Sequence, residues 1–88
     1  MEKLTFESKY EEGGYFDKDE QGWCANYVEI SCKDGTNVKI RQFFDANGYI
    51  QSDSTRYGTV QSVSGGIVTI LIGATETLSY SLKDGKLV

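Results

Sequence analysis

The chain has no histidine, no proline, only two cysteines in 88 residues, and no long apolar run. Without histidine there is no Ser-His-Asp or Cys-His catalysis, no imidazole metal ligand and no side chain titrating near neutrality unperturbed. Cys24 and Cys32 lack Cys-x-x-Cys spacing, so zinc and thioredoxin-like chemistry have no support. The glycine-rich dinucleotide fingerprint, the phosphate loop and the Gly-x-Ser-x-Gly elbow are missing as well. Two carboxylates can hydrolyse a glycoside, but a domain this small has little room for a cleft of roughly 300 Å³ or more. The expectation is a protein that is not an enzyme, with no catalytic residue, no cofactor and no metal.

The longest apolar run, Ile67–Ile72, is far short of the ~18 residues of a membrane helix. The opening Met1-Glu2-Lys3-Leu4 carries no basic segment followed by an apolar one, so a cytoplasmic location is expected, or secretion if a signal was removed. Cys24 and Cys32 stand eight residues apart, about 26 Å along one strand, whereas a disulfide needs Cα atoms within roughly 7 Å. Two buried free thiols are expected, in keeping with a reducing compartment.

Turns must be built without proline, and the ten glycines with their Asn and Asp neighbours supply the means. Apolar residues alternate with period two along most of the chain. Leu4, Phe6 and Tyr10 share a phase before Glu-Glu-Gly-Gly at residues 11–14, which reads as a turn. Tyr15-Phe16 then reads as a second short strand, with a helical turn or two near 11–21 as the one place a helix fits. Residues 23–32 place Cys24, Val28, Ile30 and Cys32 on one face, and Trp23, Ala25 and Tyr27 on the other.

Lys33-Asp34-Gly35-Thr36 reads as a type I′ hairpin turn. After it, Val38, Ile40 and Phe44 point inward with Gln42 among them, opposite Asn37, Lys39 and Arg41. Asp45-Ala46-Asn47-Gly48 turns into a strand at 49–52, a polar stretch at 53–56 and a further strand at 57–63. Ile67–Ile72 is apolar in both phases and is expected to be covered on both faces. The fold class is all-β: one domain over 1–88, a small antiparallel meander of about six to eight short strands closing into a barrel or sandwich. Within it, 1–22 is an acidic segment with the first strand and 23–88 is the meander core.

From residue 43 onward the chain resembles the short bacterial lipocalin-like, calycin-type β-barrel domains. The resemblance rests on Phe44-Asp45-Ala46-Asn47-Gly48-Tyr49, on Tyr57-Gly58-Thr59-Val60, on Gly65-Gly66-Ile67-Val68-Thr69-Ile70, and on Glu76 through Leu82 with Gly85-Lys86-Leu87. It implies strands running up and down around a central axis, and a lipocalin-like carrier of a small apolar ligand as one function. It carries no catalytic residue. The chain is shorter than such domains and has Gly22-Trp23 after an acidic segment of some twenty residues instead of near its start.

The net charge of −4 lies entirely in residues 1–20, where seven acids face three lysines. An acidic surface repels phosphate, so direct nucleic-acid binding is not expected, while a protein partner with a basic surface is. Asp17-Lys18-Asp19-Glu20-Gln21-Gly22 mimics the start of a calcium loop, but the twelfth position is Val28, and Glu29 comes one residue late; an acidic solvated loop is the expectation. Lys39 and Arg41, with Asn37, read as a solvent face, as the lining of a polar barrel lumen or as a contact for an acidic partner. Tyr15, Phe16, Trp23 and Tyr27 sit beside the acidic segment, either as barrel filling or as interface anchors.

The leading reading is a non-catalytic binding protein that docks on another protein, an inhibitor or immunity-type factor of bacterial or phage origin. Its candidate binding residues are Tyr15, Phe16, Asp17, Asp19, Glu20 and Trp23. A structural homo-oligomer, a homodimer among the possibilities, is the other alternative, because proline-free strand edges can pair between chains.

Overall fold

A computed structural model describes residues 3–19 and 21–88. It is all-β, and among the described residues no helix is long and apolar enough to cross a membrane. Seven strands follow in chain order: β1 (Phe6–Asp17), β2 (Gly22–Cys32), β3 (Asn37–Ala46), β4 (Tyr49–Ser64), β5 (Ile67–Ile72), β6 (Glu76–Ser81) and β7 (Lys86–Leu87). Each pairs antiparallel with the next, giving one sheet in the order β1-β2-β3-β4-β5-β6-β7 that curls into a nearly closed barrel.

The period-two pattern sets the register. Phe6↔Cys32, Cys32↔Val38 and Val38↔Gly58 form one row across β1 to β4, and Ser8↔Ile30 with Ile30↔Ile40 forms the next. These rows face the barrel axis and meet Val68 and Ile70 of β5 and Tyr80 of β6. Val28, Ile30, Val38, Ile40, Val68 and Ile70 fill the interior and are at most 1% exposed. Burying one such side chain contributes about 1.5–3 kcal/mol, and that burial is what makes a slip of one residue so costly.

The last gap is closed by side chains. Phe6 stacks on Tyr80 with ring centroids 4.6 Å apart. Tyr80 Oη donates to Ser8 Oγ at 2.9 Å, and Ser8 Oγ donates to the Gly85 carbonyl at 2.8 Å. The Leu87 N–H donates to Tyr10 Oη at 3.3 Å. Burial around Tyr10, foremost, pushes its phenol above the ordinary tyrosine range.

Several local expectations are corrected. Glu-Glu-Gly-Gly is no turn: β1 runs on through it, with a bulge between Glu11 and Gly13, and Tyr15-Phe16 continues the same strand. A bulge absorbs the extra residue and bends the strand without ending it. Among the described residues of 11–21 there is no helical turn. The polar stretch 53–56 is likewise part of one sixteen-residue β4, because Asp53 and Thr55 lie opposite Phe43 and Arg41 on the outer face, where polar residues are soluble.

The 33–36 turn is not type I′, which needs positive φ at both central residues. Only Gly35 has it there (82°), and the Asp34 carboxylate holds the loop by accepting from the N–H groups of Thr36 (2.8 Å) and Asn37 (2.7 Å). Asn47 and Gly48, at 57° and 85°, do meet the type I′ requirement. Ile67–Ile72 is not covered on both faces: Val68 and Ile70 are enclosed and Ile72, of the same phase, is half-covered at the strand end, while Ile67 and Leu71 of the outward phase are only half-covered. Cys24 and Cys32 are free and buried.

Candidate functional site

The molecule measures 51 × 26 × 20 Å, with a radius of gyration of 14.9 Å. A compact chain of this length has about 12 Å. The excess comes from a projecting wing. β5 pairs with β4 only from Gly58 onward, so β4 from Tyr49 to Tyr57 has a neighbour on its β3 side only. The far halves of β1, β2 and β3 run alongside it, giving a four-stranded sheet that extends beyond the barrel core.

Alternation divides the wing residues between two faces. On the outer face the rows run from the tip as Phe16–Trp23, then Gly14–Ala25–Asp45–Ile50, then Tyr27–Phe43–Asp53. On the inner face Tyr15, Cys24, Ala46 and Tyr49 form one row, followed by Asn26, Phe44 and Ser52. Large apolar side chains remain uncovered here: Tyr15 and Phe16 are 56% exposed, Trp23 47%, Tyr49 73% and Ile50 50%. These side chains lie at the surface, and the barrel-filling alternative is corrected for Tyr15, Phe16 and Trp23. The barrel ends before it reaches them. Tyr27 is half-buried.

The outer face is preorganised. The Trp23 indole N–H donates to Glu11 Oε1 at 3.0 Å, which holds the ring along the strand. That carboxylate passes over Gly14, where a Cβ would lie 2.6 Å from Glu11 Oε1, 2.8 Å from the Ala25 Cβ and 2.8 Å from the Cys24 carbonyl. Only glycine leaves this path open, and Ala25 is buried beneath it. The Asn47 N–H donates to the Trp23 carbonyl at 3.1 Å, tying the β3–β4 turn to the tip. A shallow cleft of about 660 Å³ lies there, bordered by Trp23, Asp45, Asn47 and Tyr49.

Toward the barrel the same face becomes cationic. Tyr27 and Phe43 stack at 5.4 Å, with the Arg41 guanidinium 4.5 Å above the Phe43 ring and Lys9 Nζ 5.2 Å from the Tyr27 ring. Arg41 donates to Asp53 from both Nε (3.0 Å) and Nη2 (2.7 Å), and to Glu29 from Nη1 (2.9 Å). Its hydrogen bonds hold the Asp53 carboxyl below the usual range, and Arg41 itself is raised, chiefly by Asp53. A second cleft, about 400 Å³, is lined by Lys9, Lys33, Lys39 and Arg41 against Glu7 and Glu29.

Of the six residues singled out from sequence, Phe16 and Trp23 are cross-strand partners on one face, whereas Tyr15 lies on the other. On the inner face the Cys24 thiol, foremost, pushes the Tyr15 phenol upward. Asp17 ends β1 opposite Gly22, and its Oδ1 accepts from the Asp19 N–H at 3.0 Å in the exposed hairpin turn. Glu20 lies outside the described residues. Val28, at the twelfth position of the calcium-like motif, is buried in the core, and Glu29 is engaged by Arg41. Among the described residues no three His, Cys, Asp or Glu side chains converge as metal ligands.

Sequence reading missed Tyr49 and Ile50, which complete the two faces. The available signal was that the Asp45–Gly48 turn, leading straight into Tyr49-Ile50, reads as a hairpin turn whose following residues start a strand. It also missed that the charge follows the wing. Residues 11–27 and 43–54 carry Glu11, Glu12, Asp17, Asp19, Glu20, Asp45 and Asp53 against Lys18 alone, a net −6, leaving +2 for the rest of the chain. Comparisons with protein-family models, with curated proteins and with solved structures return no match to this chain.

Proposed function

We propose that the chain is a non-catalytic docking protein whose wing is its contact element, and that its partner presents a basic protein surface. The carrying observation is the uncovered pair Phe16–Trp23 at the tip of an acidic wing. Each ring still has on the order of 100 Å² to bury, worth about 2–3 kcal/mol apiece before the cost of association. The surrounding carboxylates add steering toward positive charge and discourage acidic competitors.

The barrel serves as the scaffold. Its interior is occupied by its own isoleucines and valines, which favours surface docking over carriage of an apolar ligand inside. Occlusion of a basic site on the partner is the mode of action that this surface supports, as in a small inhibitor or immunity-type factor.

The test is affinity capture with the full chain as bait, using the wild type and the double variant Phe16→Ala/Trp23→Ala, each checked for fold by circular dichroism. The wild type is expected to retain a specific basic partner, released by raised salt, and the variant to lose it. Equal capture by a folded variant overturns the proposal.

A further inference from the structure

We infer that the outer face of the wing also receives a second copy of this chain, packed face to face and antiparallel about a two-fold axis. This rests on the wing being a docking element, and it adds a partner whose chemistry is already on the page. One continuous sheet face carries both halves of a complementary surface. Its tip half holds exposed Phe16, Trp23 and Ile50 with Asp45, and its barrel half holds Lys33 and Lys39 at the cationic cleft. Reversing one copy on another brings unlike charges together at both ends, as an isologous interface requires.

The strand geometry specifies the contact. With the axis between the Tyr27–Phe43 row and the Glu29–Arg41 row, Asp45 of each copy lies over Lys39 of the other, and Trp23 lies over Lys33. The stacked Tyr27–Phe43 pair and its overlying cations then sit near the centre, where aromatic and arginine contacts contribute most. The face from Trp23 to Lys33 is about 33 Å long and four strands wide, roughly 19 Å. That is on the order of 600 Å² per copy and 1,200 Å² in all, at the lower end of stable interfaces, so a micromolar dimer is expected. A heterologous basic protein competes for the same face.

Sedimentation equilibrium of the full chain, over a concentration series at low and high salt, tests this directly. A salt-weakened monomer–dimer equilibrium is expected. Lys39→Glu and Asp45→Lys are each expected to weaken self-association roughly ten-fold or more. Mixed in equal amounts they restore it, because both cross-copy pairs are then of opposite sign, and that recovery also shows that both variants are folded. Asp45→Asn keeps an acceptor for the Gly48 N–H and weakens the dimer in the same direction. A chain that stays monomeric at low salt, or a mixture no tighter than its components, overturns the dimer and leaves a heterologous protein as the occupant. Capture retained by the folded Phe16→Ala/Trp23→Ala variant overturns the docking reading instead, whatever the sedimentation result.

Discussion

The wing is made of the far halves of four strands whose near halves belong to the seven-stranded barrel, yet the two regions obey different rules. In the barrel half, the inner phase of β1 to β3 meets β5 and β6 across the axis, and alternation ends in full burial of Ile30, Ile40 and Ile70. In the wing half, β5 to β7 no longer follow, and the same alternation ends in two open faces with half-exposed aromatics. The difference teaches that the length of a strand relative to its neighbours, rather than its pattern, decides whether an apolar residue becomes core or contact surface.

The comparison is broken most severely in the barrel. Ile70→Ala removes a fully enclosed side chain and is expected to cost about 2–5 kcal/mol, most of a small domain's stability. Trp23→Ala is expected to cost less than about 1 kcal/mol, since half of the ring already faces water. Chemical denaturation of the two variants measures both, and a wing variant as damaging as the core one would erase the distinction between barrel and wing.

An intermediate effect is expected where the two regions join. At Gly58, where β5 begins to pair with β4, a Cβ would stand 2.5 Å from Ile72 Cδ1 and 2.6 Å from the Leu71 carbonyl oxygen. The backbone oxygen cannot yield without disturbing the ladder, so Gly58→Ala is expected to lose about 1–3 kcal/mol. Thermal unfolding would show it, and an unchanged midpoint would mean that the junction is looser than the packing indicates.

The smallest effect concerns the Asp34 loop at the end of the barrel opposite the wing tip. Hydrogen bonds from the Asn37 side chain, foremost, and from the Asn37 and Thr36 N–H groups lower the Asp34 carboxyl to about 2. A carboxyl with a depressed folded-state pKa stabilises the fold above its unfolded value, near 3.9, and loses that contribution as pH falls through about 2. Asp34→Ala should therefore lower the melting temperature slightly at neutral pH, with the gap to wild type closing between about pH 4 and pH 2. A gap constant across that window would assign the loop's role to packing alone.

Much of the architecture was legible beforehand. Period-two alternation and the Asn47-Gly48 and Gly65-Gly66 signals gave the all-β meander, the two faces of β2 and the inward set Val38, Ile40 and Phe44. What misled was punctuation. Glu-Glu-Gly-Gly reads as a turn and residues 53–56 as a polar stretch between two strands, but both lie within strands. One is a bulge, and the other carries Asp53, which accepts hydrogen bonds from Arg41 diagonally across the ladder. Such pairing joins residues twelve apart in sequence, which no local pattern reports.

By itself, the sequence determined an acidic, histidine-free β-meander with free cysteines too far apart along one strand to join, because these follow from composition, alternation and reach. The tertiary structure alone decided that β4 outruns β5, so that the acidic first segment and the residues around the Asp45–Gly48 turn form one projecting sheet. Strand pairing brings Phe16, Trp23, Tyr49 and Ile50 to a common tip and leaves them uncovered. That placement depends on where a neighbouring strand ends, and the residues on the wing strands themselves do not record it.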